Sequence, residues 1–211
     1  MGIKERKERE KERRRQQIIV AAKRIFSTKG FNKTTMEDIA KEAEISPGTI
    51  YIYFKSKDEL YASLSIRILQ HLHIRLEYVK NLKDISGQQR IMSLKEALCD
   101  VYNLDPLILI SLFHLQSSES LKNLSSGLLL EIIRLSQKSL KIIADIFSEG
   151  INNGVFINKN PNALADIFWV LFSGVILWEE SRKNIDNKKD NLKQTLDIAF
   201  DIFRQGITKR F

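Results

Sequence analysis

An almost entirely α-helical chain is what this sequence predicts, and three observations carry the prediction. Nine glycines and three prolines in 211 residues leave few places for the turns that a strand-rich fold needs. Strict alternation of apolar and polar residues over a strand's length is scarce, whereas helical spacing of apolar residues recurs along the chain. Each proline follows a capping residue, in Ser46-Pro47, Asp105-Pro106 and Asn160-Pro161. That order is an N-cap followed by the first helical position, where the missing N–H of proline costs nothing.

Taken in order, Ile18, Ala21, Ala22, Ile25 and Phe26 mark a first helix to about Thr28, with Gly30 as its stop. Upstream, the run MGIKERKEREKERRR alternates in sign and has no apolar face. Glu5 with Arg9 and Glu10 with Arg14 extend the helix by roughly 0.2–0.5 kcal/mol per pair, so the arm is expected to fray in the free protein. Thr34 with Glu37 and Thr35 with Asp38 both read as capping boxes for a short second helix carrying Ile39, Ala40 and Ala43. Pro47 opens a short third helix ending near Phe54, and Ser56 with Glu59 opens a long fourth one toward Lys80. Beyond Gly87 the pattern predicts longer, oilier helices at roughly 88–103, 105–117, 121–150, 161–184 and 190–209. Turn signals stand at Asp105, Gly150, Gly154, Asn160 and the Asn187/Asp190 cluster.

The formal charge of +8 favours anionic partners, nucleic acid or a membrane surface, and the excess is concentrated at the front. A single cysteine, Cys99, permits no intrachain disulfide and no Cys-rich metal site, which suits a reducing cytoplasm. The charged N-terminus lacks the apolar stretch of a secretory signal. The apolar run Ile167 to Trp178, bounded by Asp166 and Glu179, is shorter than the roughly 20 residues of a spanning helix, and the arm has no apolar stripe to lay on a bilayer. No membrane partner is expected. Among the three histidines, His71, His73 and His114, the first two do not share a helix face, so no metal site is expected. No nucleophile elbow, P-loop, dinucleotide fingerprint or H-E-x-x-H run is present, and neither an enzyme nor a cofactor is expected.

The third helix holds the chemistry. Residues placed at 100° intervals put Ile50, Phe54 and Pro47 on one side and Gly48, Thr49 and Ile52 on the other, with Tyr51 and Tyr53 at the flanks. The second and third helices, joined by Glu44-Ile45-Ser46, form a helix-turn-helix whose outward side is small enough at Gly48 and Thr49 to enter a groove. Phosphate-suited groups surround it: the Thr34 and Thr35 hydroxyls, the helix start at Ser46, the Tyr51 and Tyr53 phenols, and Lys57. Arg13, Arg14 and Arg15 form an arm suited to phosphates or a minor groove. The apolar tip of Ile52 is matched to a thymine methyl group.

The stretch AAKRIFSTKGFNKTTMEDIAKEAEISPGTIYIYFKSKDEL, Ala21 to Leu60, resembles the DNA-binding domain of TetR-family transcriptional regulators. The match runs through Gly30-Phe31, Thr35, Ile39-Ala40, Ala43, Ser46, Gly48 to Tyr51, Tyr53-Phe54 and Ser56 to Leu60. The resemblance implies a fold of about nine helices, with an N-terminal three-helix helix-turn-helix domain and a larger helical domain for ligand binding and dimerisation. It further implies a homodimer formed by the last two helices and operator contacts at Thr35, Ser46, Pro47, Gly48, Thr49, Tyr51, Tyr53 and Lys57. Ile52 and Arg14 join that set from the helical projection and the basic arm. One departure is Glu44, where the family usually has Gly; a left-handed bend there costs a side-chain-bearing residue roughly 1–2 kcal/mol.

The expected division is a DNA-binding unit at 1–56 and an effector and dimer unit at 57–211. In the latter, Tyr78, Met92, Cys99, Tyr102, Phe113, Phe168, Trp169 and Phe172 are the candidate lining of an effector site, suited to an elongated or aromatic apolar molecule. The candidate dimer faces are Ala165, Phe168, Phe172 and Val175 with Gly174, and Leu192, Leu196, Ala199, Phe200 and Phe203. The expected function is a repressor that binds double-stranded DNA at a palindromic operator and leaves when a small apolar effector binds. A long fourth helix would connect the two sites. The alternative is a basic helical scaffold or adaptor for protein partners.

Overall fold

The structure, a computed structural model, describes residues 2–31, 33–117, 124–185 and 191–209. Its elements are α1 (Ile3–Lys29), α2 (Met36–Glu42), α3 (Pro47–Tyr53), α4 (Lys57–Lys80), α5 (Gly87–Leu104), α6 (Pro106–Ser117), α7 (Ser126–Asn152), α8 (Pro161–Ile185) and α9 (Leu192–Ile207). Among the described residues there is no strand, only an isolated bridge between Phe156 and Thr208. The expected turn at Asn187/Asp190 and the first residues expected of the seventh helix, 121–123, lie outside the described residues.

α1 departs from expectation: the charged arm is continuous helix from Ile3. Side chains at i+3 and i+4 supply the support that an apolar face would otherwise give. Arg13 grips Glu10 at 2.6 Å, Gln16 Nε2 donates to Glu12 at 2.5 Å, and the Gly2 N–H is capped by the Glu5 carboxylate. Arg14, expected to pair with Glu10, instead donates to Gln17 at 3.2 Å. Of the two possible boxes for α2, the structure uses Thr35 with Asp38 in both directions. The S-x-x-E motif before α4 is half a box: Ser56 Oγ accepts from the Glu59 N–H, but the Glu59 carboxylate accepts from the Lys55 N–H at 2.9 Å.

α4 is the shared wall. It packs on α1 at one end and on α5, α6 and α7 further along, with Leu60, Leu64, Leu69, Leu72 and Leu76 buried. A second tie joins the two halves: Lys23 on α1 meets Asp105 at 2.6 Å, while the other oxygen of Asp105 caps α6 through the Ile108 N–H. Burial, and after it the Asp105 carboxylate, pushes the pKa of neighbouring Tyr61 up to about 12.

An aromatic core fastens α7, α8 and α9. Phe168 sits 4.6 Å from Phe200, 5.9 Å from Phe147 and 5.7 Å from Phe203, ring centroid to centroid. Gly150 belongs to this packing, because a Cβ there would fall 2.1 Å from the Phe156 ring. The chain end is pinned beside it by Ile157 N–H to Ile207 O at 2.8 Å and Lys209 N–H to Val155 O at 3.0 Å.

This core corrects the expected dimer faces. Ala165, Phe168, Phe172, Leu192, Leu196, Phe200 and Phe203 are buried within the single chain. The uncovered face is the opposite one, where Ile167, Val170 and Trp178 of α8 and Ile198 and Ile202 of α9 are exposed. Both helices are apolar on more than one side, so spacing alone cannot say which side meets the monomer. For the same reason Pro161–Arg182 is long and apolar enough to cross a membrane by length and composition, at mean hydropathy 1.5, contrary to the shorter apolar run read from the sequence. Its inner face is nonetheless occupied by α7 and α9 through Phe168, Phe172 and Ile176.

Candidate functional site

The helix-turn-helix is built from caps and one strained bend. Thr35 starts α2, and Asp38 closes the box while receiving Lys29. The Lys29 ammonium, and after it the Thr35 N–H, hold the Asp38 carboxyl down at a pKa of about 2. After Ala43 the chain turns through Glu44 at φ 53°, the left-handed region. The strain flagged by the missing glycine is therefore present. Local bonds offset it: Glu44 N–H to Lys41 O at 3.1 Å, Ile45 N–H to Ala40 O at 3.0 Å, and Gln17 Nε2 of α1 to Ala43 O at 3.1 Å. The role of Gln17 was not readable, since a polar residue on a helix flank carries no signal of what it will reach.

α3 then starts at Ser46, whose Oγ accepts from the Thr49 N–H at 3.2 Å and lies 2.7 Å from Thr49 Oγ1. Ile50 and Phe54 are buried under the helix. Ser46, Pro47 and Gly48 are exposed, and nothing lies within 4 Å of the position a Gly48 Cβ would take. Pro47 therefore faces out, not onto the buried side that the helical projection gave it. Ile52 is 72% exposed, Tyr51 is exposed, and Tyr53 is half-buried against the core. An exposed isoleucine on a short helix, beside exposed small residues and a phenol, presents a face free to meet a groove.

Three of the expected phosphate ligands are used inside the protein. Thr34 is buried and its hydroxyl donates to Gly30 O at 2.7 Å. Lys57 Nζ donates to Phe31 O at 2.7 Å and Thr34 O at 3.0 Å and stands 4.4 Å over the Phe31 ring. Two of its three N–H donors are thus spent on clamping the α1–α2 loop, the loop that presents Thr35. Arg15 turns inward to Ser63 Oγ at 3.2 Å and over the Phe54 ring at 4.9 Å. Arg14 is half-buried beside Gln17.

The expected effector lining does not converge. Tyr78 is 59% exposed with Arg75 over its ring, so it lines no interior space in this chain. Met92 borders an open groove between α5 and α9 with Ser86, Gln89 and Arg204. Cys99 and Tyr102 are half-buried on α5, and burial pushes the Cys99 thiol up. Phe168 belongs to the α7–α8–α9 core. Phe113, Trp169 and Phe172 do come together, with centroids 5.6, 6.4 and 6.2 Å apart. Among the described residues no group of three His, Cys, Asp or Glu is placed to hold a metal ion, and the side chain of His114 lies outside them.

A cap-and-bend pair of short helices with an outward recognition face defines a helix-turn-helix DNA-binding protein. The comparisons agree with that class. Residues 18–64 match the model of bacterial regulatory proteins of the tetR family. A fatty acid metabolism regulator protein of Bacillus subtilis is 30% identical over 140 residues, 65% of this chain and 68% of that protein. The chain belongs to the TetR family of transcriptional regulators. YhgD of the same organism, named as an HTH-type transcriptional regulator, is 24% identical over 177 residues, 83% of this chain and 89% of that one. Other relatives match over the front alone, as for a Haemophilus influenzae HTH-type regulator, 40% identical over 62 residues; there the chain spans only 33% of the relative's length. The fold is that of the PfmR regulator of Thermus thermophilus, with a TM-score of 0.71 at 19% identity, covering 91% of this chain and 99% of that one. This is a family of regulators, not enzymes.

Proposed function

We propose that this regulator is a cytoplasmic homodimeric repressor that occupies a palindromic operator and is released by a small apolar effector. The single observation that carries the reading is the pairing, on one chain, of an exposed recognition face on α3 with an uncovered apolar stripe on α8 and α9. A second copy covers Ile167, Val170, Trp178, Ile198 and Ile202, and the twofold axis then sets two α3 helices to reach major grooves about 34–36 Å apart. The DNA-binding unit is residues 1–56 and the effector and dimer unit 57–211, with α4 and the Lys23–Asp105 pair as the mechanical links between them.

In this reading Gly48, Thr49, Tyr51 and Ile52 meet base edges, while Thr35, Ser46, Pro47 and Tyr53 meet the backbone. Arg14 extends the backbone contact along the helical arm. Lys57 acts chiefly by holding the α1–α2 loop, with one N–H left for a phosphate. Selection of bound fragments from random duplex DNA tests the proposal. The expected product is an inverted repeat bound by two chains, with an affinity that falls steeply with salt. A lone half-site bound by one chain contradicts it.

A further inference from the structure

The bend of the helix-turn-helix leans on a side chain from outside the motif. Glu44 sits at φ 53°, a conformation that glycine takes freely and that a residue with a Cβ resists. Within the motif, the Glu44 N–H donates to Lys41 O at 3.1 Å and the Ile45 N–H to Ala40 O at 3.0 Å. The opposite edge of the Ala43–Glu44 peptide, the Ala43 carbonyl, accepts from Gln17 Nε2 of α1 at 3.1 Å. That planar unit is pinned through both its N–H and its C=O, so the chain rotation on either side of it is set.

The amide of Gln17 has one way to face. Its Oε1 accepts from Arg14 Nη1 at 3.2 Å, and a guanidinium only donates. Its NH2 is thereby turned to the Ala43 carbonyl, which only accepts. Arg14, Gln17 and Ala43 make one chain of bonds from the basic arm to the bend. A second tie from α1, Arg24 Nη1 to Glu42 Oε1 at 2.7 Å, involves an arginine side chain 72% exposed and touches no backbone of the bend. Exposed pairs of this kind hold little.

Only Ile45 and Ser46 separate Glu44 from Pro47, the first residue of α3. α3 is about 10 Å long, so a turn of about ten degrees at the bend moves its far end by about 2 Å. Hydrogen bonds to base edges do not survive such a shift, whereas the longer-ranged attraction of phosphates largely does. Resting on the operator reading above, we propose that Gln17 is a positioning residue for base recognition, setting the angle of α3 through the Ala43–Glu44 peptide.

Competition titrations of the full chain between a selected duplex and a scrambled one of equal length test the proposal, with thermal melts to verify folding. Gln17→Met keeps the side-chain length and loses both bonds. Its preference for the selected duplex falls about tenfold or more, while affinity for the scrambled one stays within about twofold. Gln17→Glu, which keeps Arg14 but sets a carboxylate against the Ala43 carbonyl, falls as far. Adding Glu44→Gly to Gln17→Met restores the preference to within about threefold, because glycine takes the bend without support. Arg24→Gln leaves the preference within about twofold. In the absence of DNA, amide exchange at Glu44 and Ile45 quickens about fivefold or more in Gln17→Met and is unchanged in Arg24→Gln. Full preference in folded Gln17→Met, equal weakening of both duplexes, no rescue by Glu44→Gly, or unmoved exchange at Glu44 and Ile45 overturns the proposal. Loss of preference in Arg24→Gln as large as in Gln17→Met does so too, because any tie between α1 and α2 would then serve. An unaltered protein that prefers no duplex overturns the operator reading, while quickened exchange in Gln17→Met still upholds the hold of Gln17 on the bend.

Discussion

α3 and α8 are both helices with exposed apolar residues, yet they differ in how sharply sequence divides their faces. α3 hides Ile50 beneath it and presents Gly48, Thr49 and Ile52, so one small polar and apolar face is left over once the core is satisfied. α8 hides Phe168, Phe172 and Ile176 and still exposes Ile167, Val170 and Trp178. A helix with one apolar stripe declares its inside; a helix with two leaves open which stripe serves the monomer and which serves a partner.

The largest effect expected from that contrast falls on the outer stripe. Ile202→Asp is expected to leave the helical circular dichroism intact, shift sedimentation from dimer to monomer and lower operator affinity by more than a hundredfold. Next comes the inner stripe. Phe168→Ala removes a ring at the centre of the α7–α8–α9 core and is expected to destabilise folding by about 3–5 kcal/mol in denaturant titrations. If Ile202→Asp instead unfolds the chain while Phe168→Ala dissociates it, the assignment of the two stripes is reversed.

At the recognition helix the effects are smaller and selective. Thr49→Ala is expected to cost about 1–3 kcal/mol at particular operator positions with little change at others, read by competition between operator variants. Glu44→Gly removes left-handed strain of roughly 1–2 kcal/mol but gives back part of it through a freer unfolded chain. A net gain of about 0.5–1 kcal/mol in the denaturant midpoint is expected. The smallest effect concerns acid. Asp38 is held near a pKa of 2 by Lys29, so its contribution to stability is present above the ordinary aspartate value near 3.8 and is lost as pH falls through about 2. Asp38→Asn is expected to flatten the stability profile in that window.

How much was legible follows the same division. The helix starts at Ser46, Ser56 and Pro161 are legible because caps act over three or four residues, whereas at α2 the sequence leaves Thr34 and Thr35 equivalent and the structure selects Thr35. The helix-turn-helix is legible for the same reason, and the bend at Glu44 through the family resemblance, which puts a glycine at that place. The clamp that Lys57 makes on Phe31 and Thr34 is not legible, because it is a tertiary contact that local spacing does not encode. The arm is helical where fraying is expected, and its side chains pair as Arg13 with Glu10 and Gln16 with Glu12, pairs that the i,i+4 reading of Glu10 with Arg14 does not contain. Tyr78 and Phe168 resemble each other in composition and differ only in which side of their helix meets a neighbour.

In the proposed dimer the outer α8–α9 stripe brings two α3 helices onto one duplex. Sedimentation of the full chain with a selected duplex, with and without Ile202→Asp, measures this directly. Two chains per duplex for the unaltered protein, and loss of both self-association and duplex binding in the folded variant, is the predicted result. A monomeric protein that binds its duplex as one chain, or a variant that dimerises and binds unchanged, would contradict it.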